Sequence, residues 1–212
     1  MKLLLIRHSE PDPGRDALDP PLTGNGRHLA AATGRWLAGE AIARVYSSPS
    51  RRARETAALI ASSVGAPVVE RDGLVEFGDG QEYVTVDELR RAGDARWVAM
   101  AAGDLAVFGT DAETFRAEVS AAVGAIVDAH PGQTVAVVAH AGVINAYLGH
   151  MLEIDRLLWV ELDYAAICRV AVSRNGVRSV LALNERPHAC GLSSSQSQLT
   201  APFIAPLPGG SS

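Results

Sequence analysis

"LLLIRHSEPD", residues 3–12, decides how this chain is read. Four apolar residues with no polar break have the pattern of a strand buried on both faces. They run straight into Arg7 and His8, a cation and an imidazole that an apolar interior disfavours. A second stretch repeats the design. "TVAVVAHAGVI", 134–144, is an all-apolar strand ending in His140 and followed by the small residues Ala141 and Gly142. In open α/β sheets, ligands bind beyond the carboxyl ends of the strands. One such ending reads as a solvated strand end or as a core histidine bonded to a carbonyl. Two of them make a shared site the better reading.

Working outward, 22–39 reads as a helix with Thr23 as N-cap and Leu29, Ala32, Trp36 and Leu37 near one face. "ARVYSS" (43–48) is a short strand leading into a helix over 49–65, with Pro49 suiting its first turn and Gly65 its exit. Residues 66–70 form a third strand, and the less regular 71–110 contains a helix over 86–103. The helix over 111–130 sets Phe115, Val119, Val123, Ile126 and Val127 at helical spacing. The strand 134–140 is followed by a helix over 141–152. "AICRVAV" (166–172) and "VRSVLAL" (177–183) flank the turn signal "SRNG" and predict a hairpin. Strands alternating with helices predict an α/β fold with a mostly parallel central sheet. We expect a single domain over 1–190, with 71–110 as a lid or insertion. The uncharged tail 191–212, rich in Ser, Pro and Gly, is expected to be poorly ordered.

The bulk numbers fit a soluble protein: 48% of 212 residues are apolar and 20% charged. A net charge of −5 argues against nucleic acid as partner. It leaves room for a small positive cleft. Cys168 and Cys190 form no CxxC pair and read as reduced thiols of a cytoplasmic protein. The apolar run of "MKLLLIRH" is too short for a leader, and no apolar window is long enough for a membrane helix. Oligomeric state stays open, a homodimer included.

Two further stretches bear on chemistry. In "SSPSRRARETA" (47–57), Arg51 and Arg54 read as a solvated face, while Arg52 is placed to face the sheet end. A cation near a helix N-terminus opposes the macrodipole unless it meets an anion. In "GLVEFGDG" (73–80), Glu76 stands between apolar residues and a glycine-rich loop, equally readable as a surface carboxylate or a functional one.

"LLLIRH", "LTGNG", "YSSPSRRARETA", "LVE" and "VAVVAHAGVI" together resemble, in order and spacing, the histidine phosphatase superfamily with its phosphoglycerate mutase-like fold. "LNERPHA" (183–189) resembles a common Asn…His ending of that family. The resemblance implies a three-layer sandwich in which helices flank a central, mostly parallel sheet. It implies His8 as nucleophile, Arg7 and Arg52 as phosphate clamps, and His140 as a second phosphate-contacting histidine beside the Ala141 backbone. Glu76 becomes the proton donor, with Asp79 and Glu82 as substitutes. No metal or cofactor is implied, and the partner is a small-molecule phosphomonoester.

The match has departures. Ser9 replaces the usual Gly and is expected to narrow the pocket or to bond the nucleophile. Ala139 and Ala141 stand where Ser and Gly are common, and Pro11 and Gly14 where Thr and Asn are. The Asn-Glu-Arg motif of the mutase branch is missing around Glu76, and Arg90, Arg91 and Arg96 read as a solvated face. A phosphatase is therefore favoured over a mutase or a catalytically silent binder. Phe77, Tyr83, Trp97, Met100 and Phe108 are candidates for a substrate lid or for core packing.

Overall fold

In this computed structural model, which describes residues 1–186, β1 (Lys2–Arg7) lies at the heart of a six-stranded sheet. The strand order is β3-β2-β4-β1-β5-β6, with β2 at Ile42–Ser47, β3 at Val68–Glu70, β4 at Thr134–Ala139, β5 at Ile167–Val172 and β6 at Arg178–Glu185. The pairs β1–β4, β4–β2 and β2–β3 are parallel, while β5 runs antiparallel to both β1 and β6. One reversed strand in an otherwise parallel sheet matches the expected architecture.

The strand alternation explains why β1 is apolar throughout. Leu4 and Ile6 pack with Ala53, Ala57 and Ile60 on one face. Leu3 and Leu5 share the other face with Phe115, Val119, Val123 and Ile144. The first cluster belongs to helices α1 (Gly24–Leu37) and α2 (Arg51–Val64), the second to α5 (Ala112–Ala129) and α6 (Ala141–Met151). A strand covered on both sides buries every side chain, so a polar residue finds company only at its end.

Several local expectations hold. The Thr23 hydroxyl accepts the Gly26 N–H as N-cap of α1, and Gly65, at φ 69°, closes α2. Gly176, at φ 85°, closes the hairpin turn. Three expectations need correction. The helix predicted over 86–103 is two helices, α3 (Val86–Ala92) and α4 (Ala95–Ala102). Gly93 ends the first in the left-handed region, and the Asp94 carboxylate caps the second by accepting the Arg96 N–H. Pro49 stands before α2, whose N-cap is Ser50. Trp36 is 49% exposed. The helices α1 and α2 meet at Gly34, where a Cβ would lie 2.7 Å from Ser63 Oγ, so small residues rather than Trp36 make that contact.

The tail expected over 191–212, together with Cys190 and His188, lies outside the described residues. Among the described residues, no helix is long and apolar enough to cross a membrane.

Candidate active site

The parallel register of β1 and β4 aligns Arg7 with Ala139, and the His8 N–H donates to the Ala139 carbonyl at 2.8 Å. His8 and His140 therefore leave the sheet side by side, with ring centroids 5.1 Å apart. Arg52, from the first turn of α2, reaches the same point, and its Nη2 donates to His140 Nδ1 at 3.4 Å. Both histidines and Arg52 are at most 4% exposed. Arg7, His8, Arg52, Glu76, His140 and Ala141 all line one cleft.

The hydrogen bonds assign the tautomers. His8 Nδ1 lies 2.8 Å from the Ser9 carbonyl, which only accepts, so Nδ1 carries the proton and Nε2 the lone pair. Burial, then Arg52, His140 and Arg7, hold the His8 pKa well below its ordinary value. His140 accepts from Arg52 at Nδ1, so its Nε2–H donates to Ser48 Oγ at 2.8 Å. The chain continues from Ser48 Oγ to Ser50 Oγ at 3.3 Å and from Ser50 Oγ to Asp79 Oδ1 at 3.1 Å. Burial, then Arg52 and Arg7, keep His140 neutral as well.

Two tyrosines hold the arginines. The Arg7 guanidinium lies 4.2 Å from the Tyr164 ring centroid and donates to the Leu162 carbonyl. Arg52 lies 4.9 Å from the Tyr83 ring centroid. The Nε atoms of both arginines are buried with no hydrogen-bond partner among the described residues. Arg52 Nη1 also lies 4.0 Å from Oδ1 of the more exposed Asp19, a distant contact, so cations held mainly by stacking keep N–H groups for an anion.

Glu76 enters from the loop after β3. Its Oε2 accepts the Gly142 N–H at 2.8 Å and its Oε1 the Phe77 N–H at 3.2 Å. A Cβ at position 142 would lie 2.2 Å from Glu76 Oε1, so glycine is required there. The small residue after His140 and Ala141 thus makes room for this carboxylate. Burial, only partly offset by those N–H groups and the two arginines, raises the Glu76 pKa to about 7. Such a carboxyl holds a proton near neutrality and releases it readily. Asp79 and Glu82 line the cleft too, Asp79 bonded to Ser50.

Two expectations are overturned here. Ser9 Oγ donates to the Gly26 carbonyl at 2.7 Å and its N–H to Thr56 Oγ1 at 3.0 Å, so Ser9 braces the loop that follows His8 rather than narrowing the cleft. Arg96, read as part of a solvated face, lines the cleft and pairs with Asp94 at 2.8 Å. Of the lid candidates, Phe77, Tyr83, Met100 and Phe108 line the cleft, while Trp97 packs against the core. Tyr164 and Ser48 were missed. Tyr164 reaches the site because β5 pairs antiparallel to β1 with Ile167 opposite Ile6, a register that no local motif announces.

The pattern of the histidine phosphatase superfamily (branch 1) matches residues 3–185. The chain belongs to that superfamily. This histidine phosphatase is 26% identical over 151 residues to the uncharacterized phosphatase PhoE of Bacillus subtilis, covering 68% of this chain and 74% of the relative. The structure of Bacillus stearothermophilus YhfR superposes with a TM-score of 0.72 at 26% identity, covering 88% of this chain and 98% of that one. The phosphoserine phosphatase of Entamoeba histolytica, in complex with 3-phosphoglyceric acid, shares the fold with a TM-score of 0.72 at 24% identity, over 88% of this chain and 98% of that one.

Proposed function

We propose that this histidine phosphatase hydrolyses small phosphomonoesters without a metal, through a phosphohistidine on His8. The observation that carries the reading is the His8 tautomer. Nδ1–H is committed to the Ser9 carbonyl, which leaves the Nε2 lone pair for phosphorus. Burial and the adjacent cations keep the ring neutral, the state a nucleophile needs.

Arg7 and Arg52 bind the phosphoryl oxygens, and each charge-assisted bond contributes about 1.5–3 kcal/mol. His140 and the Ala141 backbone complete the phosphate pocket. His8 Nε2 attacks phosphorus in line, an N–P bond forms, and the P–O bond to the leaving group breaks. Glu76 transfers its proton to the leaving oxygen. Water then attacks the phosphohistidine and gives a proton to Glu76. The N–P bond breaks, inorganic phosphate departs, and neutral His8 returns. Glu76 is preferred to Asp79 and Glu82 because the Gly142 and Phe77 N–H groups fix its carboxylate in the cleft and burial raises its pKa to about 7.

Small phosphate-bearing substrates are supported by the phosphoserine and 3-phosphoglyceric acid named for the Entamoeba structures. A cytoplasmic setting suits the free Cys168 thiol. The test is steady release of phosphate from an aryl phosphate in excess EDTA. We expect turnover unchanged by the chelator. Turnover that chelator abolishes and a divalent ion restores would overturn the metal-free mechanism.

A further inference from the structure

From the part of the cleft beyond the phosphate site, we infer that this enzyme selects phosphomonoesters of apolar alcohols and discriminates against leaving groups that carry a carboxylate. The inference rests on the phosphatase reading above. The outer wall is built from Phe77, Val84, Leu89, Met100 and Phe108. Leu89 and Met100 are each 5% exposed, and the Phe77 and Phe108 rings meet edge to face at 5.1 Å. Gly78, at φ 75°, lets the chain pass over Phe108, where a Cβ would lie 2.7 Å from a ring carbon. The apolar wall is thus locked in place by its own packing.

A carboxylate on the substrate needs a cation in that region with N–H groups to offer. Arg96 is the cation that lines the outer cleft, and it is already engaged. Its Nε donates to Asp94 Oδ1 at 3.1 Å and its Nη2 to Asp94 Oδ2 at 2.8 Å, a two-pronged pair that takes the Nε–Nη2 edge of the guanidinium and offsets its charge. The pair is also anchored, because the same carboxylate caps α4 through the Arg96 N–H. Asp79 and Glu82 add negative charge to the lining. An anionic leaving group would meet a neutralised cation, two further carboxylates and an apolar wall. An alkyl or aryl leaving group would bury its surface against that wall.

The test is kcat/KM for unsubstituted n-alkyl phosphates from ethyl to hexyl, whose leaving groups differ little in acidity, beside 3-phosphoglycerate and phosphoserine. Each buried methylene should raise kcat/KM about two- to fourfold until the chain fills the cleft. Butyl phosphate should exceed both carboxylate esters at least tenfold. The variant Asp94→Asn, which retains a capping side chain, frees the Arg96 fork and should narrow the gap to 3-phosphoglycerate by about tenfold. A flat alkyl series, or preference for either carboxylate ester, overturns this inference and leaves the phosphatase reading standing. Failure to release phosphate from any ester overturns both.

Discussion

Arg7, His8 and His140 stand at the ends of β1 and β4, two neighbouring strands whose register the sheet dictates. Glu76, Phe77, Tyr83 and Arg96 come from the stretch between β3 and α5, which holds only short helices and loops. The end of the cleft proposed to hold phosphate is thus set by backbone pairing, and the end proposed to hold the leaving group by side-chain packing and two carboxylate contacts. A site that must grip one tetrahedral anion benefits from the rigid frame. A site that must suit one alcohol among many can be rebuilt in the loops without disturbing the sheet.

The comparison breaks most severely at Arg52, the α2 cation that meets the two strand ends. Arg52→Ala should lower kcat/KM by about 10²–10⁴, the loss of one or two charge-assisted bonds. Arg52→Lys should recover little of it, because a point charge lacks the fork. Near-normal kinetics of the alanine variant would show that the phosphate lies elsewhere.

Glu76 couples the two ends, since its carboxyl comes from the loop but rests on the Gly142 N–H of α6. Glu76→Gln should reduce kcat about 10²–10³ for esters of poor leaving groups and less for an aryl phosphate, whose leaving oxygen needs no proton. In the unaltered enzyme the protonated form is lost above about 7, so kcat/KM for alkyl phosphates should fall as pH rises through that value. Stability follows the same proton. The folded protein holds it up to about 7 and the unfolded chain releases it near the ordinary carboxyl value, so stability declines as pH rises between the two. The decline is up to about 3 kcal/mol and should vanish in the Gln variant, read as melting temperature against pH.

The smallest effect is expected at Ser48, a positioning residue that acts through His140. Ser48→Ala removes the acceptor of the His140 Nε2–H and should cost about tenfold in kcat. It should also lower further the pH at which His140 titrates in NMR, because the imidazolium loses the acceptor of its Nε2–H and the neutral ring gains a second tautomer. A kinetic loss with unchanged titration would assign Ser48 a merely structural role.

The contrast between the two ends also explains what the sequence revealed. His8 and His140 were legible because each interrupts a continuous apolar run, and a buried strand has one place for a polar group. Arg52 was legible as a cation at the wrong end of a helix. Arg96 was not, because it follows the mixed charges of α3, and the break at Gly93 that starts a separate helix at Ala95 is not announced by the run of charges. Ser9 was misread for a related reason. Departure from a motif showed that a side chain was present, whereas its direction depended on Gly26 in another element. Tyr164 lay beyond reach, since its position follows from an antiparallel pairing between segments far apart in the chain.

The central claim is that His8 Nε2 forms a bond to phosphorus. Rapid quenching of enzyme mixed with an excess of aryl phosphate, followed by peptide mass analysis at alkaline pH, tests it directly. The account predicts one acid-labile phosphoryl group on His8, formed within a single turnover, and none in His8→Ala. A phosphoryl group on another residue, or turnover by His8→Ala at a rate near that of the unaltered enzyme, would contradict it.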